Sequence, residues 1–200
     1  MNAFNEKEFI EICNRFNAEP VIKEVDINYG KSSYFNKIKY SIQKDRWGEA
    51  AFCIIRPNGK VIVVTCEEYP QGIFRIPTGG IGYGEDIIKA AYREAEEELG
   101  LKTEITAFAG VIKYSITHED EVIRFYSYIF IMKETGGRLL LDATDDEVSE
   151  VREVGVAGLK EVVDRLKTLE GRWKDWGRLR YESSNAVLEY LLSKKLTLCE

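Results

Sequence analysis

The chain has 200 residues, 44% of them hydrophobic and 31% charged, with a net charge of −6. That length suits one globular domain with an extension and a sizeable core, and leaves too little chain for two full domains. The negative balance argues against a nonspecific grip on nucleic acid, which needs a field of Lys and Arg to displace counterions from phosphates.

From the N-terminus, Phe9, Ile10, Cys13 and Phe16 recur at helical spacing and predict a helix over residues 6–16. The opening stretch MNAFNEKEFIEICNRF is charged throughout and lacks the apolar core of a signal peptide. No later stretch approaches the roughly 18 apolar residues of a membrane span. Val21 to Ile27 and Tyr34 to Ile42 alternate like strands around Gly30-Lys31-Ser32, which predicts a hairpin. In AAFCIIRPNGKVIVVT two β-branched runs flank Pro57-Asn58-Gly59, so strand, turn, strand is expected.

A loop at Glu67 to Gly72 leads through a strand ending near Ile76 into the glycine-rich IPTGGIGYGED, and a helix follows from about Asp86 to Leu99. TAFAGVIKYSIT and VIRFYSYIFIM should then pair as antiparallel strands across the polar loop His118 to Glu121. The acidic stretch DATDDEVSE precedes a short strand near Val151 to Val154, and helical patterns around Leu159 to Leu169 and Tyr181 to Leu192 close the chain. The cysteines Cys13, Cys53, Cys66 and Cys199 lie far apart with no CxxC pair, and His118 is the single histidine. Neither a zinc site nor a disulfide framework is expected, and the default setting is a reduced, cytoplasmic one.

The chemistry concentrates on the helix after the glycines. At about 100° per residue, Ile87, Ile88, Ala91, Ala95 and Leu99 share a buried face, while Glu94, Glu97 and Glu98 share an adjoining arc and Glu96 points to solvent. Runs of Glu on helices are usually solvated, yet this grouping is unfavourable. Like charges at i, i+3 and i+4 repel, and anions in the last turn meet the negative end of the helix dipole. Gly100 looks like the residue that ends the helix, so the carboxylates sit at that end. A hard dication with oxygen ligands, Mg²⁺ or Mn²⁺, would relieve them. Upstream, Gly79, Gly80, Gly82 and Gly84 would let a ligand come close to the backbone.

Residues 79–101, GGIGYGEDIIKAAYREAEEELGL, resemble the Nudix box. Gly79, Glu85, Arg93, Glu94, Ala95, Glu97, Glu98, Gly100 and Leu101 meet every spacing of that pattern, Ala95 being smaller than the usual aliphatic residue. The likeness extends from about Arg46 to Leu192. It implies an α/β (α+β) Nudix fold, a mixed β-sheet sandwiched between helices, over residues 46–200, with residues 1–45 forming an N-terminal helix and hairpin extension.

The resemblance also implies roles. Glu94, Glu97 and Glu98 would bind the metal, and Glu85 would either join them or serve as a charge at the helix start. Arg93 would orient a carboxylate through paired hydrogen bonds. Gly79 and Gly80 would contact the bound ligand. Water would attack phosphorus, with Glu98 or Glu147 as the base and Glu119 and Glu121 as further candidates. His118 is open between a site role and a solvated side chain, and Cys53 reads as core. Trp47, Phe74, Tyr83 and Tyr126 would stack on a base or simply pack, and Arg56, Arg75 and Arg124 are candidates for phosphate.

The implied substrate is a nucleoside diphosphate derivative, among a family range that includes nucleoside triphosphates, ADP-ribose, dinucleoside polyphosphates, coenzyme A and capped RNA. The N-terminal extension is similar to the added strands through which some ADP-ribose pyrophosphatases form homodimers, although Lys113-Tyr114-Ser115-Ile116-Thr117 stands where that group carries a proline. Two other classes remain open. One is a Nudix-fold module that binds a nucleotide without turnover. The other is the isopentenyl diphosphate isomerase branch, which needs a cysteine and metal-binding histidines.

Overall fold

The computed structural model describes residues 4–44 and 46–194, so Cys199 lies outside the described part. In chain order the elements are α1 (Glu6–Phe16), β1 (Val21–Asn28), α2 (Ser32–Lys44), β2 (Arg46–Ile55), β3 (Val61–Thr65) and β4 (Thr78–Gly82). Then come α3 (Ile87–Leu99), β5 (Leu101–His118), β6 (Glu121–Gly137), β7 (Glu150–Val154), α4 (Val156–Lys167), a 3₁₀ turn (Gly171–Trp173) and α5 (Lys174–Ser193).

The strands form one mixed sheet in the order β1-β5-β6-β2-β3-β7, with β4 paired to β2. β5 and β6 are antiparallel across the predicted polar loop, whereas β2 runs parallel to β6. Alternation along β2 sends Ala50, Phe52 and Ile54 to the face covered by α1 and α3, and Ala51 and Cys53 to the face covered by α2, α4 and α5. Both faces are roofed by helices, which is why β2 reads as a nearly continuous apolar run. The expected sandwich of helices about a mixed sheet is the fold observed.

Two local expectations are corrected. Tyr34 to Ile42 is not the second strand of a hairpin but part of helix α2, and β1 pairs parallel to β5, from Val21 beside Gly110 to Asn28 beside Thr117. Tyr34, Ile38 and Ile42 fit a period of two and a period of four alike. The neighbours decide between them: Phe35 is 1% exposed and Tyr40 is 61% exposed, the reverse of what strand alternation requires.

The second correction concerns the glycine-rich stretch, whose strand lies after Ile76 rather than before it. Arg75 makes a single bridge to Val64, Pro77 has no N–H to continue a ladder, and β4 starts at Thr78, setting Gly79 opposite Ala50 and Gly80 opposite Glu49.

Candidate active site

Helix α3 starts at Asp86, whose side chain accepts from the Lys89 amide at 2.8 Å, and Glu8 of α1 takes the free amide of Ile87 at 3.0 Å. It stops at Gly100, which adopts φ 69°, where any Cβ would lie 2.6 Å from the Ala143 nitrogen. Ile87, Ile88, Ala91, Ala95 and Leu99 are buried as their spacing predicted, and Glu96 is exposed. This register turns Glu94, Glu97 and Glu98 into a cleft of about 660 Å³.

Arg93, which also lines the cleft, ties the carboxylates together. Its Nε and Nη2 donate to the two oxygens of Glu85 at 2.7 and 2.9 Å, and its Nη1 donates to Glu94 at 2.9 Å and Glu97 at 2.7 Å. The Gly80 carbonyl accepts a further bond from Nη2 at 3.0 Å. Glu85 also accepts from the Gly82 amide, and its pKa lies below the usual carboxylate range, chiefly because Arg93 bonds it, against a smaller opposing effect of burial. Glu85 is therefore spent on Arg93 and does not line the cleft.

Two of the glycines leave room for side chains of the protein itself, and Gly80 also lines the cleft. A Cβ on Gly79 would fall 2.1 Å from the Glu94 Cγ, and one on Gly80 would fall 2.9 Å from the Arg46 guanidinium carbon. Of the four glycines only Gly84 has a positive φ, 78°.

Glu98 is the residue most at odds with its surroundings. It is 3% exposed, and its Oε2 is buried with no hydrogen-bond partner among the described residues. Burial pushes its pKa up to about 8; Arg75 pulls down, and Glu94, Glu147 and Asp145 push further up. Burial likewise raises Glu94, against the pull of Arg93.

Asp145, Asp146 and Glu147 form an acidic rim on an exposed loop. That loop is pinned to α3, since the Thr144 and Asp145 amides both donate to the Glu97 carbonyl, at 2.9 and 3.0 Å. Among the described residues no three side chains of metal-binding type already converge on one point. Glu94 and Glu97 each lend an oxygen to Arg93, and Glu98 lines the same cleft.

Of the rest of the cleft lining, sequence reasoning named Arg75 but missed Glu49 and Arg180. Arg75, one of three arginines singled out, lines the cleft and donates to Thr78 Oγ1 at 3.2 Å. The same hydroxyl accepts from Arg180 at 2.9 Å, and Arg180 also donates to Glu49 at 2.7 Å. Ser127 donates to the other Glu49 oxygen at 2.6 Å. Burial alone would raise the Glu49 pKa, but the Arg180 charge and these bonds outweigh it and hold the group ionised. A lone carboxylate at the head of the apolar run WGEAAFCII was the available signal for Glu49, while nothing marked Arg180.

Other candidates lie elsewhere. Arg56 pairs with Glu134 at 2.6 Å, and Arg124 is exposed outside the cleft. His118 bonds the Tyr29 carbonyl through Nδ1 at 2.8 Å, and with Glu119 and Glu121 it lines a separate depression beside the start of α2. Cys53 sits in the core, where burial raises its thiol to about 12. Trp47 packs on Tyr126 and Tyr128, Phe74 carries the Arg152 guanidinium at 4.1 Å, and the Tyr83 hydroxyl donates to the Ile42 carbonyl. Cys66 lines the cleft, but the single histidine, His118, lies outside it, so the metal-binding histidines that the isomerase alternative needs are missing there.

A carboxylate-bearing helix held by its own arginine, after a glycine strand and under a mixed sheet, is matched by the NUDIX domain model over residues 46–176. The chain belongs to the NUDIX family. Among similar proteins, the ADP-ribose pyrophosphatase of Methanocaldococcus jannaschii is 29% identical over 126 residues, covering 61% of this Nudix chain and 72% of that protein. Nudix hydrolase 2 of Arabidopsis thaliana is 39% identical over 77 residues, 37% of this chain and 26% of its own length. The RNA pyrophosphohydrolase of Pelagibacter ubique is 34% identical over 65 residues, 32% of this chain and 41% of its own. The last two matches thus span less than half of those relatives.

A solved Nudix hydrolase from Nitrosomonas europaea superposes with a TM-score of 0.54 at 14% identity, over 76% of this chain and 93% of that one. A UDP-X diphosphatase gives 0.50 at 11% identity, over 80% and 72%. At such identities the likeness is one of fold. Among the described residues no helix is long and apolar enough to cross a membrane.

Proposed function

We propose that this Nudix protein is a Mg²⁺-dependent pyrophosphohydrolase, with Mn²⁺ able to substitute, that cleaves the diphosphate linkage of a nucleoside diphosphate derivative by attack of water at phosphorus. The observation that carries this reading is Glu98, a buried carboxylate with an oxygen that no described protein atom satisfies, set beside Glu94 and Glu97. Leaving such an acceptor unpaired costs about 1–3 kcal/mol, and an all-oxygen donor set suits a hard dication. Glu94, Glu97 and Glu98 would hold the ion. When bound, it would neutralise charge on the diphosphate and lower the pKa of an attacking water.

The chain's own groups divide the remaining work. Arg93, fixed by Glu85, sets the rotamers of Glu94 and Glu97. Arg75 lines the same cleft and its charge acts on Glu98, and its guanidinium suits a phosphate oxygen. With Glu98 committed to the ion, Glu147 on the exposed rim is the base that takes the proton from water. The relatives named for ADP-ribose and for RNA cleavage are consistent with a substrate of nucleotide type. Gly79 makes room for Glu94 in this reading, and Gly80, beside Arg46, lines the cleft where the ligand would lie.

The deciding experiment incubates the protein and Mg²⁺ with a panel of nucleoside diphosphate derivatives and resolves products by chromatography. Product formation that Glu98→Gln abolishes supports the reading; tight nucleotide binding without product points to the non-catalytic module. A cytoplasmic setting belongs to the same proposal and is tested by cell fractionation. The homodimer expectation loses its hairpin now that residues 34–42 are helical, and sedimentation tests it independently.

A further inference from the structure

Away from the glutamate helix, a second polar network reaches the cleft, running Ser127–Glu49–Arg180–Thr78–Arg75. Its members come from separate elements: Glu49 from β2, Arg75 from just before β4, Thr78 from β4, Ser127 from β6 and Arg180 from α5. Arg180 lies beyond the end of the family match. Glu49 is 2% exposed, Arg75 3% and Thr78 5%, so water screens these charges little. The two guanidiniums share a single acceptor, since Arg75 and Arg180 both donate to Thr78 Oγ1, at 3.2 and 2.9 Å.

Two like charges on one buried hydroxyl are an expensive arrangement. The Arg75 charge works against that of Arg180, and Glu49 offsets it. A buried ion pair is a weak stabilising device beside apolar packing, and Arg180 even leaves its Nε buried with no hydrogen-bond partner among the described residues. What the network does secure is the posture of Arg75. That side chain gives Nε to the Tyr69 hydroxyl at 3.1 Å, and Nη1 to the Ile76 carbonyl at 3.1 Å and to Thr78 at 3.2 Å. Among the described residues only Nη2 of its three nitrogens has no partner, and Arg75 lines the cleft. Glu49 also feels the Arg75 charge, and would compete for that nitrogen if Arg180 did not already hold it.

We propose that Arg180, Glu49 and Thr78 are positioning residues. Arg180 keeps Glu49 occupied, Thr78 spaces the two guanidiniums by one hydroxyl, and Nη2 of Arg75 thereby stays free for an oxygen of the diphosphate. The three act through Arg75 and not on the reacting atoms. Their role rests on the reading of the cleft as a pyrophosphohydrolase site, and it makes a residue outside the family match a determinant of phosphate binding.

A double-mutant cycle tests this, with Thr78→Val and Arg180→Gln each made in the parent and in an Arg75→Gln background, and thermal melts to confirm folding. Two quantities are read in Mg²⁺ buffer: kcat/KM on the nucleoside diphosphate panel, and affinity for inorganic diphosphate by calorimetry. In the parent each substitution should lower both by roughly tenfold, the scale of directly coupled neighbours. Thr78→Ser, which keeps the hydroxyl, should stay near the parent. In the Arg75→Gln background neither change should cost more than about twofold. If Arg180→Gln fails to fold because Glu49 is left unpaired, Thr78→Val carries the cycle alone. Losses of equal size in both backgrounds, or an Arg75→Gln that alters neither quantity, overturn the proposal. Turnover with such additive losses leaves the hydrolase standing, whereas coupled losses of diphosphate affinity without turnover support the positioning network and overturn the hydrolase.

Discussion

Arg93 grips Glu85 through two parallel hydrogen bonds, Nε to Oε1 at 2.7 Å and Nη2 to Oε2 at 2.9 Å, while its third nitrogen reaches Glu94 and Glu97. A lysine offers one point charge and cannot reproduce the fork. Arg93→Lys should therefore lower kcat/KM by about a hundredfold, the scale of a roughly 1 Å misplacement of reacting groups. Glu85→Gln, which keeps one acceptor, should cost less. Steady-state kinetics on both variants, with thermal melts to confirm folding, checks the order.

Glu98 gives the metal-free protein a pH-dependent stability. Its folded pKa of about 8 exceeds the ordinary 4.5, so between these values the folded chain keeps a proton that the unfolded chain releases. The stabilising contribution is complete below pH 4.5, falls as pH rises and is gone above about 8. Glu98→Gln removes this slope, and in EDTA at pH 8 to 9 the variant should be more stable than the parent by about 1–3 kcal/mol, or roughly 2–4 °C per kcal/mol. Chemical denaturation from pH 5 to 9 would reveal a parent curve parallel to that of the variant if the idea is wrong.

The same proton should leave when a dication arrives, because a carboxylate must be ionised to bind one. Calorimetric titration with Mg²⁺ in buffers of different ionisation enthalpy should report about one proton released at neutral pH and almost none near pH 9. A pH-independent count of zero would remove Glu98 from the ion's ligands.

Gly79→Ala places a methyl group 2.1 Å from the Glu94 Cγ, in a strand where the backbone cannot retreat from α3. Overpacking of this kind costs about 1–3 kcal/mol. Activity should fall with stability, since Glu94 is the side chain displaced. Gly84→Ala has open space around it but a φ of 78°, and should cost stability while sparing activity.

Glu147→Gln tests the proton acceptor. Loss of a positioned general base typically costs about 10²–10⁴ in rate, so kcat should drop in that range while Mg²⁺ affinity stays near the parent value. Asp146→Asn on the same rim is the control and should change kcat little.

The site was legible where one period explained the residues and obscure where two did. Helix α3 announced itself because its apolar positions fit 3.6 residues per turn and nothing else, and that register alone put Glu94, Glu97 and Glu98 together. Tyr34, Ile38 and Ile42 satisfied strand and helix at once, and only the burial of Phe35 under its neighbours resolved them. Beyond Arg75, the rest of the cleft lining was obscure for a different reason. Arg180 meets Glu49 across 131 positions of sequence, and such a pair leaves no local pattern. Nor does a pattern announce that the space beside Gly79 is filled by a glutamate from the next helix.

The two amides of Thr144 and Asp145 that close on the Glu97 carbonyl weld the acidic rim to the end of α3. The acidic rim and the carboxylate-bearing end of α3 are thereby coupled, and a shift of one pulls on the other.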